Sequence, residues 1–209
     1  FGKFDYSRNA GLPLLIYGVG ELARLAKTYF TEDSPYEVEG FIVDDEFMPE
    51  SKTVFGLPVH SAIEIGNKIT KDSHSIFVAF SGVGLSYPRT NKVAELKSCG
   101  FHLASYVSSY AFIASDAKIG ENVMIFEHNT IQSEVQIGNA SIIWSGNHVG
   151  HQTVLDEGAF ISSHVCIGGR TKIGRNSYFG MNSTIRDQIE IGQNSVIGAN
   201  SYVHKSFLA

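Results

Sequence analysis

The sequence predicts two halves of different build, an α/β half over residues 1–106 and a parallel β-solenoid over residues 107–209. Three observations carry this. From Val107 the chain divides into hexads (VSSYAF IASDAK IGENVM IFEHNT IQSEVQ and onward), and all seventeen first positions up to Val203 are Val, Ile, Leu or Phe. A helix requires apolar spacings of three and four and an amphipathic strand a spacing of two, so a period of six is neither. Before residue 107 no such phase exists; short apolar runs alternate there with segments of helical spacing.

In the first half, PLLIYG (13–18) reads as a buried strand and ELARLAKTYF (21–30) as a helix with Leu22, Leu25, Ala26 and Tyr29 on its apolar side. EVEGFIV (37–43) is a second strand, SAIEIGN a short helix, SIFVAF (75–80) a third strand, and RTNKVAELKSCG a helix ending at Gly100. Strand and helix alternating at this spacing give a small parallel sheet. GVGELA, from Gly18 to Ala23, follows a strand and opens a helix, the setting in which G-x-G-x-x-G/A brings a phosphate to a helix N-terminus. Asp44 and Asp45 end the second strand, where an acidic side chain meets a ribose or base. The same residues also suit a plain tight turn with a solvated acidic end. A dinucleotide-dependent oxidoreductase is a further reading, although only half of a Rossmann fold is present.

In the second half each hexad supplies a short strand and a turn, with the recurrent aliphatic pointing inward. The next position is often glycine (Gly120, Gly138, Gly150, Gly168, Gly174), which suits tight turns and close backbone approach. The fifth is often small (Ser141, Thr153, Ala159, Thr171, Ser177), so that coils stack and each buries its neighbour's face.

With 209 residues, 43% hydrophobic and 18% charged, the composition is that of a globular protein. A net charge of −5 gives no basic field for nucleic acid. No apolar run nears the roughly 18 residues of a membrane span, and no signal peptide is visible, so the cytoplasm is the expected compartment. Cys99 and Cys166 have no metal-ligand or CxxC spacing and read as reduced packing residues.

The hexads resemble those of the hexapeptide-repeat acyltransferases. That resemblance implies a left-handed parallel β-helix with three hexads per coil, so that residues 18 apart stack. A Rossmann-like half, then GFIVDD, then such a helix is similar to the bacterial sugar acyltransferases of the sialic acid O-acetyltransferase type, among them N-acetyltransferases of nucleotide-linked 4-amino sugars. The resemblance implies acetyl-CoA as donor, a homotrimer, and a nucleotide-sugar site containing Gly18, Gly20, Asp44 and Asp45. SGVGLSYPRTN (81–91) matches that family's second nucleotide-contacting loop more loosely. A family segment of V-x-H followed by A-x-I-S falls on Val149, His151, Ala159, Ile161 and Ser162, which makes His151 the catalytic base. Gly169, one coil on, then faces the thioester carbonyl. Ser163, Met181, Ala199 and His164 line the CoA groove, and His148 contacts substrate or solvent.

Relatives place an acidic residue beside the catalytic histidine, and here that neighbour is Gln152. Stacking by 18 puts Glu134 under Gln152, so Glu134 is expected to orient His151. γ-Class carbonic anhydrases share the fold and bind zinc through three histidines. His128 and His164 stand two coils apart as that site requires, but its third position is Gly169, which cannot ligate, so no metal is expected. The other readings are an O-acetyltransferase acting on a sialic acid hydroxyl and a non-catalytic β-helix assembly subunit.

Overall fold

A computed structural model describes residue 4 and residues 11–66, 73–80 and 85–208. By their contacts these residues form two units, one of residues 11–66, 73–80 and 91–104, the other of Phe4 with residues 85–90 and 105–208.

The first unit is a sheet with helices. Its elements are β1 (Leu14–Tyr17), α1 (Glu21–Glu32), β2 (Val38–Val43), β3 (Thr53–Val54), β4 (Leu57–Ser61), α2 (Ala62–Gly66), β5 (Ser75–Val78) and β6 (His102–Leu103). A third helix, α3 (Tyr87–Ser98), begins among residues of the second unit and ends among those of the first. The strand order is β3-β4-β2-β1-β5-β6, parallel except for the β3–β4 hairpin. β1 is buried throughout because it is central, and α1 buries Leu22, Ala23, Ala26 and Phe30. From β1 the sheet continues through β2 on one side and β5 on the other. Their carboxyl ends therefore form a topological switch point, the place where open α/β sheets bind ligands.

The hairpin and β6 are absent from the sequence reading. Pro58 reads as a strand breaker, yet it pairs only with Thr53 of the hairpin, while the parallel ladder to β2 is carried by Val59, His60 and Ser61.

In the second unit every hexad forms a two-residue strand, and the strands stack into three parallel sheets of six, six and five. Partners are 18 residues apart, as Thr130, His148 and Cys166 show on one face. The inward column is dry: Ile125, Ile131, Ile143, Val149, Ile161 and Ile167 are all 0% exposed. Burying each such side chain stabilises by about 1.5–3 kcal/mol.

The turns have their own rule. From Asn122 to Asn200 every sixth residue has positive φ, and only Gly146 and Gly158 of these fourteen are glycine. The left-handed conformation costs a side-chain-bearing residue roughly 1–2 kcal/mol. In return it turns the amide along the prism axis onto a carbonyl of the coil below, as in Gln152 N–H to Ser133 O (2.9 Å) and Arg170 N–H to His151 O (2.8 Å). The recurrent second-position glycines are not the turn makers. A Cβ on Gly150 would stand 2.5 Å from the amide nitrogen of Gly169, so the next coil's backbone forbids a side chain. At one corner, fifth-position Asn129 and Asn147 form a buried ladder. Asn129 Nδ2 donates to the Trp144 carbonyl (2.8 Å), and Asn147 Oδ1 accepts from Val165 N–H (2.6 Å).

Residues 85–90 belong to the β-helix unit and bind along another corner. Tyr87 donates to Asn194 Oδ1 (2.6 Å), Thr90 to Asn176 Oδ1 (3.4 Å), and the Arg89 Nε to the Ala140 carbonyl (2.8 Å). Arg89 is 1% exposed, and burial lowers its pKa to about 10.

Candidate functional site

Between strands His148–Val149 and Val154–Leu155 the chain turns through Gly150, His151, Gln152 and Thr153. Gln152 takes the left-handed conformation (φ 60°), which leaves His151 projecting from the corner. The His151 amide donates to Gln132 Oε1 (2.9 Å), so the backbone is fixed while the ring is exposed. That ring rises to the next coil: a Cβ on Gly169 would lie 2.8 Å from His151 Nε2 and 3.1 Å from Cε1. The imidazole therefore occupies the space that a larger residue at position 169 would fill. The Gly169 amide makes no hydrogen bond among the described residues and lies on this same corner.

Below and above His151 runs a chain of hydrogen bonds. Asp116 accepts from the Ser133 hydroxyl (2.6 Å) and the Glu134 amide (3.2 Å), and these hold its carboxyl below the usual range. Glu134 Oε2 accepts from Gln152 Nε2 (3.2 Å). Gln152 Oε1 accepts from Arg170 Nε (3.0 Å) and stands 3.4 Å from His151 Nδ1. Glu134 thus meets Gln152 rather than the imidazole. The cause is the stacking period, which sets residue 134 under 152 and Ser133 under His151.

The other residues expected at the site divide between places. His148 lies half-buried on the outer side of the adjoining strand, stacked between Thr130 and Cys166. Ser163, His164, Met181 and Ala199 sit on the corner at the opposite border of that face. Met181 there is 58% exposed, and the His164 ring covers Gly146, whose Cβ would stand 2.7 Å from it. Within one chain this column and the His151–Gly169 pair therefore occupy different edges of the prism. Cys99 and Cys166 are both exposed, contrary to the packing role expected of them. Cys166 occupies an outward strand position, and Cys99 directly follows the last residue of α3.

In the α/β unit, Gly18 leaves β1 with φ 119°, and its amide donates to the Ile42 carbonyl (2.8 Å). Gly20 is the N-cap of α1, without a side-chain cap hydrogen bond, and a Cβ there would meet nothing within 4 Å among the described residues. Asp44 accepts a 2.6 Å hydrogen bond from Tyr17 Oη at the same sheet end. Burial and this bond push the Tyr17 hydroxyl far above its ordinary pKa. Lys92 of α3 lies 5.1 Å from the Tyr17 ring centre and 3.9 Å from Asp44 Oδ1. Asp45 turns away, accepting from the Ser61 hydroxyl, which itself accepts the amides of Ile63 and Glu64 at the start of α2. Asp45 thus secures a helix start, whereas Asp44 stays with the glycine turn. Tyr17, Lys92 and Arg89 were not among the residues singled out in the sequence. Of the 81–91 segment, residues 81–84 lie outside those described.

A groove of about 360 Å³ opens on the face that follows the His151 turn, lined by Val154, Lys172, Ile173, Arg175, Glu190 and Leu208. Among the described residues no three His, Cys, Asp or Glu side chains converge to hold a metal ion, and no helix is long and apolar enough to cross a membrane.

Residues 170–205 match the family model described as bacterial transferase hexapeptide (six repeats). No curated protein sequence matches the chain. Among solved structures, a mutant of perosamine N-acetyltransferase from Caulobacter crescentus, in complex with CoA and GDP-perosamine, is similar over 95% of this chain and 91% of its own (TM-score 0.83, 20% identity). The acetyltransferase domain of PglB from Neisseria gonorrhoeae FA1090 is similar over 93% and 92% (0.81, 21%), and WeeI from Acinetobacter baumannii AYE over 95% and 94% (0.62, 20%). The chain shares the fold of these structures, a Rossmann-like half followed by a left-handed parallel β-helix built of six-residue repeats.

Proposed function

We propose that the protein transfers an acetyl group from acetyl-CoA to the amino group of a nucleotide-linked 4-amino-dideoxy sugar, with His151 as general base. The observation that carries this is the exposed His151 ring set over Gly169, beside an amide without a hydrogen-bond partner among the described residues. As the sugar nitrogen attacks the thioester carbonyl, the C–N bond forms and His151 Nε2 takes a proton from nitrogen. The Gly169 N–H offers a donor to the developing oxyanion. Collapse breaks the C–S bond, and CoA leaves as thiolate and takes the proton back from His151. No covalent acyl-enzyme is needed, because the thioester is already activated.

The α1 N-terminus at Gly20, which has no side-chain cap, and the Tyr17–Asp44–Lys92 group suit the diphosphate and the nucleoside of the acceptor. The similar structures support the pairing of substrates: one holds CoA with GDP-perosamine, and the PglB domain was also solved with acetyl coenzyme A. Because the Ser163–Met181–Ala199 column and His151 lie on different edges, one CoA touching both needs two chains, which supports a homotrimer closed around a threefold axis. Two exposed unpaired cysteines suit the reducing cytoplasm.

The test is thiol release from acetyl-CoA in the presence of UDP-, dTDP- and GDP-linked amino sugars and, separately, free sialic acids. Turnover with an amino sugar, lowered about 10²- to 10⁴-fold in kcat by His151→Ala, is the expected result. Turnover with sialic acid alone would make this an O-acetyltransferase, and silence across the panel would sink the proposal.

A further inference from the structure

We infer that Gln152 is a positioning residue that sets the tautomer of His151, its amide held between Glu134 on one side and Arg170 on the other. The inference rests on His151 being the base, but its primary readout does not.

The argument is one of donors and acceptors. An arginine side chain has donors only, so the Gln152 atom facing Arg170 Nε at 3.0 Å is the amide oxygen. An ionised carboxylate accepts only, so the atom facing Glu134 Oε2 at 3.2 Å is the amide NH₂. The two neighbours agree, and together they exclude the flipped amide. The oxygen fixed in this way is the atom 3.4 Å from His151 Nδ1. An imidazole nitrogen beside an acceptor must carry the proton, so Nδ1 is N–H and Nε2, over Gly169, keeps its lone pair. That is the tautomer a general base at Gly169 requires.

The clamp spans four coils. Asp116 holds the Glu134 amide and the Ser133 hydroxyl, Glu134 holds Gln152, and Arg170 closes on Gln152 from above. A carboxylate in direct contact with His151 would both orient the ring and stabilise its cation. Here the two jobs are separated: a neutral amide orients, and the carboxylate acts one step removed.

Nitrogen spectra of ¹⁵N-labelled protein, taken where His151 is neutral, distinguish the pyrrole-type from the pyridine-type ring nitrogen. His151 is identified by the signal lost in His151→Ala. The expected result is N–H at Nδ1 in the unaltered protein and a mixture of tautomers in both Gln152→Leu and Gln152→Asn. Asparagine adopts the left-handed conformation readily and is too short to bridge, so it tests the relay with the turn intact. Glu134→Gln, which replaces an obligate acceptor by an amide of either orientation, gives a smaller shift in the same direction. In turnover, Gln152→Asn lowers kcat about 10- to 100-fold, short of the roughly 10⁴-fold cost of a fully wrong tautomer, and leaves KM for acetyl-CoA unchanged. N–H at Nε2 in the unaltered protein, or an unmoved tautomer in both Gln152 variants, overturns the inference. A shifted tautomer with unchanged kcat removes its catalytic part. Full activity in His151→Ala instead sinks the base assignment and leaves the tautomer result standing.

Discussion

Gly169 and Gly158 are both glycines met by a neighbour, and they differ in what meets them. At Gly169 the neighbour is the end of the His151 side chain, and its φ is not in the left-handed region. Gly169→Ala is therefore expected to leave stability within about 0.5 kcal/mol while displacing the ring, with kcat falling up to about 10²-fold. Thermal melting and thiol release read the two effects separately. At Gly158 the φ is 73°, and a Cβ would lie 2.6 Å from Thr90 Cγ2 and 3.2 Å from Ser86 Cβ. Gly158→Ala is expected to cost about 1–3 kcal/mol, seen as a lower urea midpoint. Asp116 gives the acid-side prediction. Its folded pKa lies below the unfolded one because of the Ser133 hydroxyl and the Glu134 amide. Its contribution is thus present above the ordinary carboxylate range and is lost as pH falls through the lowered value. Asp116→Asn should remove that part of the acid dependence of stability, measured by denaturation at stepped pH.

At the scale of elements, the segment 85–90 shows where sequence reading stops. The hexads identify every strand of the β-helix, because a six-residue period with an unbroken aliphatic phase has one physical solution. SYPRTN has no period, and nothing in it marks its arginine as buried. In the structure Arg89 is buried against the Ala140 carbonyl, and small residues at 140 and 158 make room along that corner. Arg89→Ala is expected to lose about 2–4 kcal/mol by urea denaturation. With a pKa of about 10, lowered by burial, Arg89 is charged in both states at neutral pH. Stability from this group therefore stays flat across the neutral range and rises only as pH climbs past about 10. His151 was singled out by its segment and its place in the hexad, and the structure sets its ring over Gly169. Its link to Glu134 was half legible: stacking by 18 gives the right column, but the contact goes to Gln152, because side chains meet their own column first. The separate setting of Asp45 was not legible, for a related reason. Two adjacent aspartates look equivalent in sequence, and only the short helix after β4 shows that one of them secures Ser61.

For the whole molecule, the separation of His151 from the Ser163 column predicts that activity follows assembly. Light scattering is expected to give three times the mass of one chain, with turnover lost on dilution to monomer; a fully active monomer would contradict it. The repeat also acts as a ruler with two graduations. Every sixth residue points inward and every eighteenth shares a corner, so the two lengths of excision have different consequences. Cutting one hexad between Glu134 and Gln152 keeps each aliphatic inward but rotates all later coils by one face. Gln152 then no longer stands over Glu134, and a folded protein is left without its clamp. Cutting a full coil above Arg170 shortens the prism with every column still in line. A lineage trimming this chain can thus drop whole storeys, whereas a six-residue loss reassigns every corner beyond it.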